Sequence, residues 1–260
     1  MRYIRLFFQM MSANLRGLMA FKADFLVSFF GGLLSQTIGL LFMGVLFLNV
    51  PAVAGWNVYQ VALLYGYMFV AEGVMTLFFQ GTNGLWRQVR KGEFDRYLLR
   101  PLPITLQIYG RDINLAGLGT GITGLGVMMY SLWKLELPMT PWRVVILVLS
   151  LILGAVVRVN INFASSILPV WLEGASGFKG TVENMWEMGK YPLDIYPKAF
   201  RVILLTLIPY AAISYVPASV LLGKMDPVFF LALPGAAVLI ILLRIWLFHK
   251  AMEKYEGSGN

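Results

Sequence analysis

Leu85-Trp-Arg-Gln-Val-Arg-Lys-Gly-Glu-Phe-Asp-Arg-Tyr-Leu-Leu-Arg-Pro-Leu-Pro103 stands between two long apolar stretches, and its reading decides the fold. Five bases, Arg87, Arg90, Lys91, Arg96 and Arg100, against two acids, Glu93 and Asp95, cannot rest in hydrocarbon. The segment therefore emerges from a bilayer, and its excess of Lys and Arg assigns it to the cytoplasmic face. There it is open to a cytosolic partner.

Composition agrees. Hydrophobic residues make up 58% of the chain and charged ones only 13%, and the mean hydropathy is +0.72. These values describe an all-α polytopic membrane protein, because only helices or closed barrels satisfy their backbone in lipid. The polar intervals are too short to build a core of their own, so residues 1–260 form a single transmembrane domain. The net charge of +8 reflects Lys and Arg gathered at the ends of apolar segments, where lipid headgroups rather than nucleic acid meet them. The absence of cysteine excludes disulfides, thiolate metal sites and cysteine nucleophiles.

Around the cationic segment, apolar runs of about 20 residues predict spans over 25–48, 58–79, 104–133, 144–171 and 228–248. The link 49–57 carries no charge and is assigned to the outside, which leaves the cationic segment (within 80–103) and both termini inside. Residues 1–22 lack the pattern of a cleaved signal. Instead Arg2, Arg5, Gln9, Ser12 and Arg16 recur at helical spacing opposite an apolar face, which predicts an amphipathic helix in the inner headgroup layer.

Residues 172–223 admit two readings. Hydropathy alone makes 172–201 a cytoplasmic loop and 202–222 a span. Alternatively, Pro209 and Pro217 break that stretch into a re-entrant pair, and the preceding segment is the fifth crossing. In that segment Lys179, Glu183, Glu187 and Lys190 line one helical face, which suits either a bundle interior or an interfacial helix.

Three more charges fall at membrane depth. Glu72 and Arg158 each lie about 21 Å from the outer boundary and Arg111 about 10 Å from the inner one, at 1.5 Å per helical residue. They can form one layer, either as an ion pair of Glu72 with Arg158 or Arg111, or as a polar patch on a substrate route. Asn160 and Asn162 read as helix-to-helix hydrogen bonds.

Other patterns carry no chemistry. Gly119-Thr-Gly-Ile-Thr-Gly124 fits a dinucleotide fingerprint but lies inside an apolar span, where Gly117, Gly121 and Gly124 share a face for close helix contact. No phosphate-binding loop ending in Gly-Lys-Ser/Thr occurs. His249, the one histidine, has neither a metal-ligand cluster nor a triad around it, so no catalytic, nucleotide or metal residues are assigned.

Pro192-Leu-Asp-Ile-Tyr-Pro197, followed by Pro209 in apolar context, resembles the outer re-entrant region of type-2 ABC exporter permeases. Arg90 to Pro103 resembles that family's inner coupling loop, and the amphipathic N-terminal helix its elbow helix. The nearest subfamily comprises small six-helix permeases that work with an ATPase and a second permease. The resemblance implies an elbow helix over 1–22, six passes, a re-entrant outer region over 191–223 and a coupling helix. ATPase contact would then involve Gly92, Glu93, Phe94, Asp95, Arg96, Tyr97, Leu98, Leu99 and Arg100, with the aromatic and leucine side chains as exposed anchors. It further implies a transport subunit in a prokaryotic cell membrane, with membrane lipids around it and ATP and Mg held by the partner ATPase rather than by this chain. An intramembrane transferase using carboxylates and a non-catalytic assembly protein are the alternatives. The sequence does not identify the substrate.

Overall fold

A computed structural model describes residues 2–19, 22–172 and 176–255. Met1 and 20–21 of the expected N-terminal helix, the side chains of Arg2, Ile4 and Met19 on it, and 173–175 of the expected 172–223 region lie outside the described residues. Helices α1 (Arg2–Met19), α2 (Lys22–Asn49) and α3 (Val58–Phe78) open the chain. The cationic segment contributes α4 (Leu85–Arg90) and the single turn α5 (Asp95–Leu98), followed by α6 (Ile104–Tyr109), α7 (Ala116–Lys134) and α8 (Pro141–Trp171). After α9 (Ser176–Met188) come α10 (Lys198–Leu205), α11 (Tyr210–Ile213), α12 (Tyr215–Leu221) and the closing α13 (Ala232–Glu253).

The centre of the bundle is α3. Asn57 starts it with a reciprocal cap: its Oδ1 accepts from the Gln60 amide at 3.0 Å, and Gln60 Oε1 accepts from the Asn57 amide at 3.3 Å. Residues from Val61 to Ala71 are buried almost without exception, as expected of a helix apolar on every side. By contrast, α2 exposes Leu26, Val27, Phe30, Leu34, Ile38 and Phe42, which a bilayer covers.

Glycine decides how α3 meets α7. A Cβ built on Gly73 would lie 2.6 Å from the Gly121 Cα, and one on Gly124 would lie 2.7 Å from the Val70 amide nitrogen. Backbone thus packs on backbone, the arrangement that small residues permit between membrane helices. A second face of α7 does the same to α2, where Gly119 meets Phe29 and Gly32 meets Ala116.

Among the described residues, four segments are long and apolar enough to cross a membrane: α2, α3, α8 and Pro227–Glu253, which contains α13. The helices α10 and α11–α12, bent by 66° at a break containing Pro209, count as a fifth if taken as one span. Instead of the expected continuous span over 104–133 there are two helices, for α6 stops at Tyr109 and α7 starts at Ala116. Arg111 and Asp112 form an ion pair in the break, Asn114 Oδ1 caps the Ala116 amide at 3.0 Å, and Asn14 Nδ2 donates to the carbonyls of Gly110 and Arg111 at 2.9 Å each. A charged pair with uncovered backbone needs polar partners, and a helix passing through it would bury both.

The two ends of the bundle are defined by side-chain contacts. At one end Trp56 Nε1 donates to Asp194 Oδ2 at 3.2 Å, Lys224 Nζ donates to the Gly55 carbonyl at 2.9 Å, and Tyr65 meets Tyr191 hydroxyl to hydroxyl at 2.8 Å. At the other, Tyr255 donates to Asp95 at 2.6 Å and Lys179 Nζ to Asn83 Oδ1 at 3.1 Å. Helix α9 and the turn after it connect the two, with Lys179 at the cationic end and Tyr191 at the Trp56 end.

The glycine seam gives a paired prediction. Gly117→Val should lower the melting midpoint of the purified protein through overpacking of about 1–3 kcal/mol. Gly126→Ala, where an added Cβ meets nothing within 4 Å, should be neutral or stabilise by up to about 1 kcal/mol. Equal midpoints for the two variants would contradict the seam.

Candidate functional site

Arg158 is carried into the bundle by α8 and is 1% exposed. Its Nε donates to Glu72 Oε2 of α3 at 2.6 Å, its Nη2 to Glu183 Oε2 of α9 at 2.8 Å, and its Nη1 to the Tyr210 hydroxyl of α11 at 3.2 Å. The face of the guanidinium lies 4.3 Å from the ring centroid of Trp186, a cation–π contact in a desolvated setting. Four helices are therefore fastened at one planar cation whose donors point in fixed directions.

The network continues toward the cationic end. Lys179 Nζ donates to Glu183 Oε1 at 3.3 Å, Asn162 Oδ1 at 2.9 Å and Asn83 Oδ1 at 3.1 Å, while Asn162 Nδ2 donates to Thr82. On the other branch, Thr76 donates to Glu72 Oε1 at 3.2 Å. Two carboxylates thus face two cations. Glu72, Glu183 and Lys179 keep part of their surface open while Arg158 is closed off. Such a site can present polar groups to a passing solute without a net charge.

The other candidate charges do not contact Arg158. Arg111 does not pair with Glu72; in the α6–α7 break it lies beside Asp112 and within 3.5 Å of the Tyr97 hydroxyl. Glu187 does not join Arg158; it pairs with Lys190 at 2.6 Å, one turn or more away along the α9 stripe, with Lys190 over the rings of Tyr65 and Phe69. Asn160 accepts from Arg244 Nε of α13 at 3.2 Å. Sequence reasoning missed Tyr210, Trp186 and Thr82, for only proximity in space distinguishes them. The Lys179–Glu183 spacing on the α9 stripe was the one visible signal for that end.

The cationic segment divides into a buried and an exposed half. Gly92 turns the chain at φ 69°, a conformation glycine adopts without strain. The helix expected over 92–100 is shorter, a single turn from Asp95 to Leu98. Phe94 and Tyr97, expected as exposed anchors, are 0% and 3% exposed. They pack with Leu85, Ile108, Phe163, Ile167 and Leu247, because an aromatic at the foot of α5 gains more from that cluster than from water. Tyr97 also donates to Gln88 Oε1 at 3.0 Å. Leu98 and Leu99 remain outside at 51% and 84% exposure, flanked by exposed Glu93, Arg96 and Arg100. Asp95 faces inward to Tyr255, whose hydroxyl is pushed up to about 12 by burial and then by that hydrogen bond, so it stays a donor at neutral pH.

A sequence-family profile described as ABC-2 family transporter protein matches residues 33–259. The chain belongs to that family of membrane transport components, which associate with ABC ATPases. Neither curated proteins nor solved structures give a match.

The charge network is open to a double-mutant cycle. Arg158→Gln leaves Glu72 and Glu183 with Lys179 alone and should cost about 3–5 kcal/mol of stability. Glu72→Gln should cost less, since Glu183 still holds the guanidinium. The two together should recover at least about 1 kcal/mol relative to their sum, read from melting midpoints. Strict additivity would sink the pairing.

Proposed function

We propose that this chain is the transmembrane permease subunit of an ATP-driven exporter, with its substrate route formed against a second permease subunit and its energy supplied by separate cytosolic ABC ATPases. The observation that carries this reading is the construction of α5. Its exposed leucines form a small apolar knob rimmed by charge, the anatomy of a docking surface, while its buried aromatics anchor it to the membrane helices. ATP and Mg belong to the partner, as no phosphate-binding loop is present in the sequence.

The same construction supplies a mechanical path. Phe94 and Tyr97 share a cluster with Phe163 and Ile167 of α8 and Leu247 and Ala251 of α13. A displacement of α5 by closing ATPases therefore loads α8, the helix that carries Arg158. Movement there strains the contacts to α3, α9 and α11 together, and access to the partly open carboxylates of Glu72 and Glu183 changes with it. The network acts as a latch and as a polar patch on the route at once.

In this reading six segments cross a prokaryotic cell membrane: α2, α3, α7, α8, α9 continued by the turn to Tyr191, and α13. The bent α10–α12 region is re-entrant at the outer face, α1 is an elbow in the inner headgroup layer, and both termini are cytoplasmic. Helix α7 spans about 28 Å at 1.5 Å per residue, and its glycines account for its modest hydropathy. The α9 stripe is tolerated because Arg158, Lys179 and Lys190 neutralise its acids.

Two experiments test these statements. Leu98→Ala with Leu99→Ala should reduce recovery of the partner ABC ATPase in detergent pull-downs by tenfold or more, a loss of about 1.4 kcal/mol or above, without lowering the melting midpoint. Phe94→Ala should instead destabilise the chain by about 3–5 kcal/mol. Undiminished ATPase capture and ATP-dependent transport by the leucine variant would remove α5 from the mechanism. For sidedness, Ile195→Cys, at an exposed position beside Asp194, should react with an impermeant maleimide on intact cells. Labelling only after the cytoplasmic face is opened would reverse the assignment.

A further inference from the structure

A polar cavity of about 590 Å³ lies between α1, the cationic segment and the α6–α7 break. Arg96, Arg100 and Arg111 line it together with Glu93 and Asp112, and Asn14 and Met10 of α1 form a wall. Arg100 makes no ion pair among the described residues, and Arg96 reaches Glu93 only at 3.4 Å.

We propose that this cavity holds the phosphate of an anionic phospholipid headgroup. Three guanidinium groups against two carboxylates leave one net positive charge, which matches a phosphodiester better than a dianionic free phosphate. Guanidinium is also the group best shaped for phosphate oxygens. The neighbouring wall points to a lipid as the carrier. Helix α1 exposes Tyr3, Phe8 and Leu15, its Phe7 stacks on Phe79 with 6.0 Å between centroids, and its Asn14 is tied to the break. A headgroup seated among the arginines therefore has apolar side chains of an interfacial helix beside it to receive acyl chains. The inference rests on the membrane-spanning reading and not on ATPase docking, although the two sites share Arg96 and Arg100.

The test uses the full-length protein purified in detergent and equilibrated with mixed micelles holding equal phosphatidylglycerol and phosphatidylcholine, with retained lipid counted by native mass spectrometry. Phosphatidylglycerol should be retained preferentially. Arg96→Gln and Arg100→Gln should each lower that preference about fivefold, as loss of one near-surface cation implies, and Glu93→Gln should raise it. These three side chains are exposed, so the variants keep the fold, and the opposite direction of the last one separates electrostatics from damage. Equal retention of both lipids, or an unchanged preference in the arginine variants, overturns the proposal. Displacement of the lipid by millimolar inorganic phosphate would assign the cavity to a soluble anion and overturn it as well.

Discussion

The guanidinium of Arg158 is the point on which the bundle converges. A cation removed from water in the middle of apolar helices is tolerated only when its donors are matched, and here Glu72, Glu183, Tyr210 and the face of Trp186 match them from three different helices. Those partners fix the depth of α9 against α3 and α8 and orient α11. A hydrophobic contact in their place would pack the helices without dictating their register, because apolar surfaces slide where hydrogen-bond directions do not. In a bilayer this matters more, since lipid tails compete equally for apolar faces and little drives one helix onto another.

The glycine seam between α3 and α7 answers the same difficulty by different means. Where Gly73 and Gly121 meet, the helix backbones approach closely enough for extensive dispersion contact. The bundle thus combines a dry, tightly packed side around α7 with a polar, partly open side around α9. The proposed alternating-access mechanism needs such an asymmetry: one part moves as a body, and another holds contacts that are strong in one arrangement and broken in the next. In the proposed mechanism α8 belongs to both, for it carries Arg158 at its middle and Phe163 and Ile167 toward the cationic end.

The cationic segment joins two requirements. Phe94 and Tyr97 are used inward, Leu98, Leu99, Glu93, Arg96 and Arg100 outward, and Tyr255, just past the end of α13, closes over Asp95. In the proposed mechanism, rigid attachment of so short a turn to the membrane helices permits a push to be transmitted rather than absorbed. The adjoining cavity shares Arg96 and Arg100 with this segment, so the proposed headgroup site and the proposed docking surface are contiguous.

Some of this was written in the chain itself. The apolar runs at 25–48, 58–79, 144–171 and 228–248 fall on observed helices, because span length is set by bilayer thickness and needs no partner. The charge stripe of α9 and the break at Pro209 were likewise visible, as periodicity and proline act locally. Glu72 and Arg158 stood out as charges at one depth, but depth alone left Arg111 as an equal partner; the ion pair with Asp112 and the interrupted helix at Gly110 took Arg111 away. The family resemblance made Phe94 and Tyr97 surface anchors, and only the cluster built from Phe163, Ile167 and Leu247 turned them inward. The sequence by itself determined which segments are helical and which residues are costly in lipid. The tertiary structure decided which of those residues satisfy one another, since hydrogen-bond partners 25 to 86 positions apart are chosen by helix packing and leave no local trace.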